Sequence, residues 1–127
     1  MPKSRPAAAA RETILLVEDE PAVRNLFVRA LTGAGYRIHE ARNGREAVEI
    51  FDRIGDSIDL LITDLRMPLM GGVELAHQLR ARRPEMKLLC VSGHPGSEVP
   101  SLDAEFLAKP FSRDTLLSKI REILDQR

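Results

Sequence analysis

Acidic residues, a serine and a lysine stand at the ends of short apolar runs in this sequence. Asp64 ends IDLLITD, Glu18 and Asp19 follow TILLV, Ser92 ends KLLCVS, and Lys109 follows EFLA. Clustered carboxylates suit a hard cation such as Mg²⁺, and a carboxylate beside Mg²⁺ can act as a nucleophile toward phosphorus. A lysine ammonium or a serine hydroxyl can contact the same anionic oxygens. These residue types indicate phosphoryl chemistry at a magnesium site, if the fold brings them together.

The apolar pattern predicts that strands and helices alternate along the chain. Strands are predicted at 13–17, 36–41, 58–64, 87–92 and 105–108. The third, 58–64, is too uniformly apolar to have a wet face, and those at 13–17 and 87–92 are also predicted to be buried, which is typical of a parallel sheet covered by helices on both sides. With right-handed crossovers, the expected fold is α/β: a doubly wound, flavodoxin-like (βα)5 domain with a five-stranded parallel sheet.

Apolar residues at helical spacing separate the predicted strands. The first helix begins at Pro21, and the residues expected on its buried face are Val23, Leu26, Phe27, Ala30 and Leu31. The Asn-Gly pair that follows the second strand could form a hairpin turn, but the spacing beyond it favours a helix capped by Asn43. A third helix is predicted from Gly72 to near Arg82, and a last one after its cap Ser112.

Parallel sheets of this kind bind ligands beyond the carboxyl ends of their strands. The predicted strand ends therefore bring the acids, the serine and the lysine to one rim of the sheet. Each residue taken alone could be a solvated strand end or a helix cap, whereas the full set favours a site. The three histidines have no spacing typical of a soft-metal site.

Four motifs in order, LLVEDEP, LLITDLRMP, VSG and FLAKPF, resemble the receiver domains of bacterial two-component response regulators, the family typified by the chemotaxis regulator. The resemblance covers residues 13–125. It implies that Asp64 accepts a phosphoryl group from the phosphohistidine of a histidine kinase or a histidine phosphotransfer protein. It also implies that Glu18, Asp19, Asp64 and the backbone carbonyl of Arg66 hold Mg²⁺.

The same resemblance implies roles for residues near Asp64. Ser92 and Lys109 would contact the phosphoryl group, and the peptide bond between Lys109 and Pro110 would be cis, which proline makes accessible. Phe106 falls at the aromatic switch position of the family, although plain core packing is an equal alternative. The residues that could tune the lifetime of the acyl phosphate, or simply face solvent, are Arg66 and His94.

One interval departs from the family pattern. Between Ser92 and Lys109 the chain is several positions shorter than in typical receivers, and residues 93–104 contain two glycines and two prolines, which disfavour a full helix. The fourth helix of the fold is therefore expected to be shortened or missing, which puts the family's usual output surface in doubt. Such shortening resembles receivers attached to hybrid histidine kinases.

Composition limits the remaining choices. The 127 residues predict one domain at 12–127 after a flexible leader or linker remnant at 1–11. Nineteen basic and nineteen acidic residues balance, so no direct binding of nucleic acid is expected. No apolar run reaches the roughly 18 residues of a membrane span, so membrane insertion is not expected either. A single cysteine, Cys90, is predicted to be buried and fits a reducing, cytoplasmic location.

Two other functions are alternatives to a phosphorylated signalling switch. A receiver-like docking module that works without phosphorylation has no physical need for the complete set of acids, serine and lysine. A hydrolase using Ser92 and His94 is poorly supported, because LCVSGH lacks the first glycine of a nucleophile elbow. The sequence therefore predicts a switch that alters a protein-interaction surface, rather than an enzyme acting on a separate substrate, while the downstream partner stays unknown.

Overall fold

The computed structural model describes residues 12–67, 70–93 and 104–126. Five parallel strands form one sheet in the order β2-β1-β3-β4-β5. They are β1 (Thr13–Val17), β2 (Arg37–Ala41), β3 (Leu60–Asp64), β4 (Lys87–Ser92) and β5 (Glu105–Ala108). The predicted parallel α/β fold is confirmed. Residues 1–11, His94 and most of the segment predicted to hold a shortened fourth helix lie outside the described residues.

Four described helices connect or follow the strands, and a short 3-10 turn covers Gly55–Ser57. They are α1 (Pro21–Gly33), α2 (Gly44–Ile54), α3 (Gly72–Arg82) and α4 (Arg113–Leu124). Asn43 caps α2 by accepting from the backbone N–H of Glu46, and Ser112 caps α4 by accepting from the backbone N–H of Thr115. Both predicted caps are confirmed, because each satisfies an amide that the helix itself leaves unbonded.

Alternating residues of the central strands are buried on opposite faces of the sheet. Ile14 and Leu16 of β1 belong to a core layer that also contains residues of α1 and α4. Leu15 and Val17 of the same strand belong to a second layer with residues of α2 and α3. Because β1, β3 and most of β4 are buried on both sides, the sheet is rigid where its strands end.

The structure corrects one predicted burial. Phe27, Ala30 and Leu31 of α1 are buried as expected, but Leu26 is 67% exposed. Leu26 precedes Phe27 by one residue, about 100° around the helix, so it falls at the edge of the stripe that faces the sheet. Cys90, at the centre of β4, is fully buried as predicted. Within the described ranges, none of the helices has the length and apolar character that crossing a membrane requires.

Candidate functional site

Neighbouring strands end with polar residues at one rim of the sheet. Glu18 follows β1, its backbone N–H donating to the carbonyl of Ala41 at 3.1 Å. Asp64 ends β3, which lies between β1 and β4. On the far side of β4, the backbone N–H of Lys109 donates to the carbonyl of Ser92 at 2.8 Å. Backbone hydrogen bonds between neighbouring strands therefore fix the backbone position of these predicted site residues.

The three acids predicted to bind a cation lie together. One carboxylate oxygen from each of Glu18, Asp19 and Asp64 lies within 4.8 Å of the other two. Glu18 is 1% exposed and Asp64 is also buried, while Asp19 is partly exposed. Oxygen donors at this spacing suit a hard divalent cation that keeps some of its water, so the residues present fit Mg²⁺.

Lys109 contacts two of these acids. Its Nζ lies 3.1 Å from Oδ2 of Asp64 and 3.4 Å from Oε1 of Glu18. Burial lowers the pKa of Lys109, but the hydrogen bond and charge of Asp64, together with the charge of Glu18, outweigh burial and raise it. Lys109 is therefore positively charged at neutral pH and can hold an anionic oxygen beside Asp64.

The buried position of Glu18 and the nearby charge of Asp64 make the carboxyl of Glu18 harder to ionise. Burial, followed by the charge of Asp64, raises the pKa of Glu18 to about 7, although Lys109 and the backbone N–H of Glu20 partly offset the effect. A carboxyl that resists ionisation in this way gains from a nearby cation. Three acids lie beside one lysine, so negative charge exceeds positive charge at the site, and a bound cation would stabilise it.

A close backbone contact holds the segment after Asp64 in place. The backbone N–H of Arg66 donates to Oδ1 of Asp64 at 3.3 Å, and that of Gly72 donates to the carbonyl of Leu65 at 3.1 Å. A Cβ on Gly72 would lie 2.2 Å from the carbonyl oxygen of Asp64. Only a residue without a side chain lets α3 begin this close to Asp64.

Other predicted site residues border this cluster. Ser92 is buried at the end of β4, and a Cβ added to the next residue, Gly93, would meet no described atom within 4 Å. Phe106 is half-buried against the core layer that contains Cys90, its partner in the register of β4 and β5. The peptide bond between Lys109 and Pro110 is cis.

Two residues near the site were missed by sequence reasoning. Arg24 of α1 donates from Nη1 to the backbone carbonyl of Glu18 at 2.9 Å. Gly72 was assigned only as the start of a helix, although the Gly-Gly pair after the strand-end aspartate was a usable signal for close packing. Nothing comparable marks Arg24, because its contact depends on how α1 packs on the sheet.

Comparison with known proteins agrees with this fold. The sequence profile described as the response regulator receiver domain matches residues 14–121. The chain therefore belongs to the response regulator receiver domain family, whose members are signalling domains of two-component systems, and the resemblance seen in the four motifs is confirmed.

Similar proteins place receivers in two settings. The chain is 42% identical over 121 residues to sensor kinase CckA of Brucella abortus, covering 91% of this chain and 13% of that protein. It is 36% identical over 117 residues to the response regulator receiver protein CpdR of the same species, covering 87% of this chain and 95% of CpdR. The chain thus spans a small part of one relative and nearly all of the other.

Solved structures of one further relative bear on ligands and partners. The response regulator TrrA of Thermotoga maritima, solved with Mg²⁺ and BeF, superposes with a TM-score of 0.80 at 33% identity, covering 88% of this chain and 98% of that one. A second structure, in which TrrA is in complex with histidine kinase ThkA, superposes with a TM-score of 0.78 at 33% identity, covering 90% and 99%.

Proposed function

We propose that this domain accepts a phosphoryl group on Asp64 from a phosphohistidine and thereby switches a protein-interaction surface. The observation that carries the proposal is the geometry around Asp64. Its Oδ2 lies 3.1 Å from a lysine ammonium, while oxygens of two further acids lie within 4.8 Å of a carboxylate oxygen of Asp64. A buried carboxylate with both a cation and a cation site beside it is suited to attack on phosphorus.

In the proposed reaction a carboxylate oxygen of Asp64 forms a bond to phosphorus as the nitrogen–phosphorus bond of the donor breaks, leaving its imidazole. Lys109 holds one phosphoryl oxygen and offsets its charge. Glu18, Asp19, Asp64 and the backbone carbonyl of Arg66 would hold Mg²⁺, which supplies further charge compensation to the phosphoryl oxygens. Lys109 can act this way at neutral pH because its neighbours raise its pKa.

We further propose that Ser92 and Phe106 respond to the phosphoryl group. Ser92 ends the strand next to that of Asp64, and its hydroxyl can donate to a phosphoryl oxygen. Phe106 is half-buried, which leaves its ring able to change position without first opening the core. Arg66 and His94 are proposed to tune the lifetime of the acyl phosphate.

An apolar groove beside the site supports a protein as the phosphodonor. The groove has a volume of about 490 Å³, and the residues that line it include Val23, Leu26, Pro110, Phe111 and Leu116 together with Lys109. Because Lys109 also contacts Asp64, a partner seated in this groove lies next to the acceptor. Leu26 lines the groove with 67% of its surface exposed, so a partner seated there would bury it.

A histidine kinase is the proposed partner, in keeping with the complex solved for TrrA. Replacing Leu26 with serine should slow transfer from a phosphohistidine protein but leave labelling by acetyl phosphate unchanged, since a small donor needs no docking surface. Equal rates from the protein donor would remove the groove from the proposal. The proposed location is the cytoplasm, and the similar proteins include both a receiver protein, CpdR, and a sensor kinase, CckA.

The central test is covalent labelling. Acetyl phosphate with Mg²⁺ should add one phosphoryl group to the wild-type chain, detected by intact-mass spectrometry, and Asp64→Asn should abolish it. Asp56→Asn is a matched control, because Asp56 is exposed in the turn before β3, at the opposite edge of the sheet. Label retained on the Asp64 variant would exclude Asp64 as the acceptor.

The second candidate is a docking module that never needs phosphate. It would bind its partner with the same affinity before and after labelling. The excess of buried negative charge at Glu18 and Asp64 speaks against it, because a docking surface gains nothing from that costly arrangement.

A further inference from the structure

Arg24 connects the acidic cluster to a neighbouring strand. It lies on α1 with its side chain 13% exposed. Its Nη1 donates to the backbone carbonyl of Glu18 at 2.9 Å, and its Nε lies 3.4 Å from Oε1 of Glu40 on β2. One guanidinium therefore joins the segment after β1 to the second-last residue of the adjacent strand, β2.

The carbonyl that Arg24 contacts belongs to the peptide unit between Glu18 and Asp19. In the preceding peptide unit, the backbone N–H of Glu18 donates to the carbonyl of Ala41 at 3.1 Å. The backbone N–H of Glu20 donates to Oε2 of Glu18 at 3.3 Å. The guanidinium thus completes a set of bonds that fixes the orientation of the peptide joining the two acids, and with it the direction in which Asp19 leaves the backbone.

We propose that Arg24 is a positioning residue for the cation site. This inference rests on the proposed function, because it concerns the same acids and the same Mg²⁺. The carboxylates of Glu18, Asp19 and Asp64 repel one another, and a peptide free to rotate would let Asp19 turn toward solvent. By holding the Glu18 carbonyl, Arg24 keeps Asp19 at the rim before a cation arrives, so that less ordering is required on binding.

The guanidinium group suits this role for two reasons. Its planar fork presents donors in fixed directions, so it can meet the Glu18 carbonyl and the Glu40 carboxylate together, whereas a lysine ammonium is a single point charge. The Glu40 carboxylate also neutralises Arg24, which limits repulsion between the guanidinium and an incoming cation. Charge alone therefore does not give Arg24 its proposed role.

The test measures Mg²⁺ binding to the full chain by isothermal titration calorimetry, without a phosphodonor. Arg24→Met and Arg24→Lys should each weaken binding by about tenfold, as removal of outer-shell partners of metal ligands does. Glu40→Gln should weaken it less, because the bond to the Glu18 carbonyl remains. Arg29→Met is the matched control, since it removes the same charge from an exposed position on α1 and should leave the affinity unchanged.

The outcomes separate the possible roles of Arg24. Unchanged or tighter binding by Arg24→Met would overturn the proposal, because it would show that the guanidinium only opposes the cation. A lower Tm in EDTA with wild-type affinity would overturn it as well, leaving a purely structural role. If Arg24→Met does not fold, Arg24→Lys decides on the same criteria. Failure of the wild-type chain to bind Mg²⁺ would instead refute the magnesium site itself.

Discussion

Glu12 and Glu18 lie on either side of β1, at opposite edges of the sheet, and their carboxylates have opposite surroundings. Glu12 is 27% exposed and accepts from Nη2 of Arg121 at 2.8 Å. That hydrogen bond lowers the pKa of Glu12 below its ordinary value. Glu18 is 1% exposed, and burial raises its pKa to about 7. The same residue type is thus favoured as an anion at one edge and disfavoured at the other.

The difference shows how this domain divides stability from function. At the amino edge, Arg121 also contacts Asp125 at 2.9 Å and donates to the Tyr36 hydroxyl at 3.4 Å, so two acids share one guanidinium and all three groups are accessible to water. At the carboxyl edge, three acids lie together, and the ammonium of Lys109 contacts two of them. Charge that water screens needs no ligand, whereas buried excess charge costs stability until a cation binds.

The largest expected effect concerns the rigidity of the carboxyl edge. Gly72→Ala should lower the free energy of unfolding by about 2 to 3 kcal/mol, because its Cβ would lie 2.2 Å from the carbonyl oxygen of Asp64 and either β3 or α3 must shift. Labelling of Asp64 by acetyl phosphate should fall with it. Urea unfolding and intact-mass spectrometry measure the two effects.

Gly71→Ala provides the control for this substitution. A Cβ on Gly71 would lie 3.5 Å from the carbonyl oxygen of Leu65, an ordinary van der Waals contact, and the φ of Gly71 is −70°. Its cost should stay below about 1 kcal/mol. Equal losses for the two glycines would mean that the close approach to Asp64 is not what makes Gly72 necessary.

The next effect has the opposite sign and tests the cost of the buried acid. In EDTA at pH 8, Glu18→Gln should raise the free energy of unfolding by an amount on the order of 2 kcal/mol, since a pKa raised to about 7 means that ionised Glu18 opposes folding. In the wild-type chain, the protonated carboxyl of Glu18 contributes stability below the ordinary pKa of a glutamate, and this contribution is lost as pH rises through about 7. The advantage of the variant should therefore vanish near pH 4. A destabilised variant at pH 8 would contradict this account of the edge.

Mg²⁺ should offset part of the excess negative charge at the carboxyl edge and so stabilise the fold. At about ten times its dissociation constant it should raise the free energy of unfolding of the wild-type chain by about 1.4 kcal/mol, because it binds the folded site and not the unfolded chain. Thermal unfolding with Mg²⁺ and with EDTA measures the shift. Asp19→Asn should lose most of it, and an undiminished shift in that variant would place the cation elsewhere.

The smallest effect is at the amino edge. Glu12→Gln should destabilise the fold by about 0.5 kcal/mol at neutral pH, as expected for a partly exposed ion pair screened by solvent. Because the pKa of Glu12 is lowered, its contribution is present above the ordinary carboxyl pKa and is lost as pH falls below it. Acid titrations of both chains, followed by circular dichroism, should therefore converge at low pH. A constant difference across pH would rule out the charge of Glu12 as its source.

The sequence was sufficient to predict the strands and the caps Asn43 and Ser112, because these depend on local patterns. It also predicted that Glu18, Asp19, Asp64 and Lys109 lie close together, because parallel strands end at one edge of the sheet. It failed where packing between elements decides. A helical pattern defines a stripe but not how far the sheet covers its edges, so Leu26 was misassigned. The contacts of Arg24 and Gly72 depend on the placement of α1 and α3 relative to the backbone, which no local pattern fixes.

The burial of Cys90 has a practical consequence. It is the single cysteine of the chain, it is fully enclosed in β4, and burial raises the pKa of its thiol to about 12. The native thiol therefore stays protonated and out of reach of maleimides under ordinary labelling conditions. A cysteine introduced at an exposed position such as Arg45 can be labelled selectively in the native protein while Cys90 stays in place. Fluorophores or spin labels can thus report on the rim of the sheet without first redesigning its core.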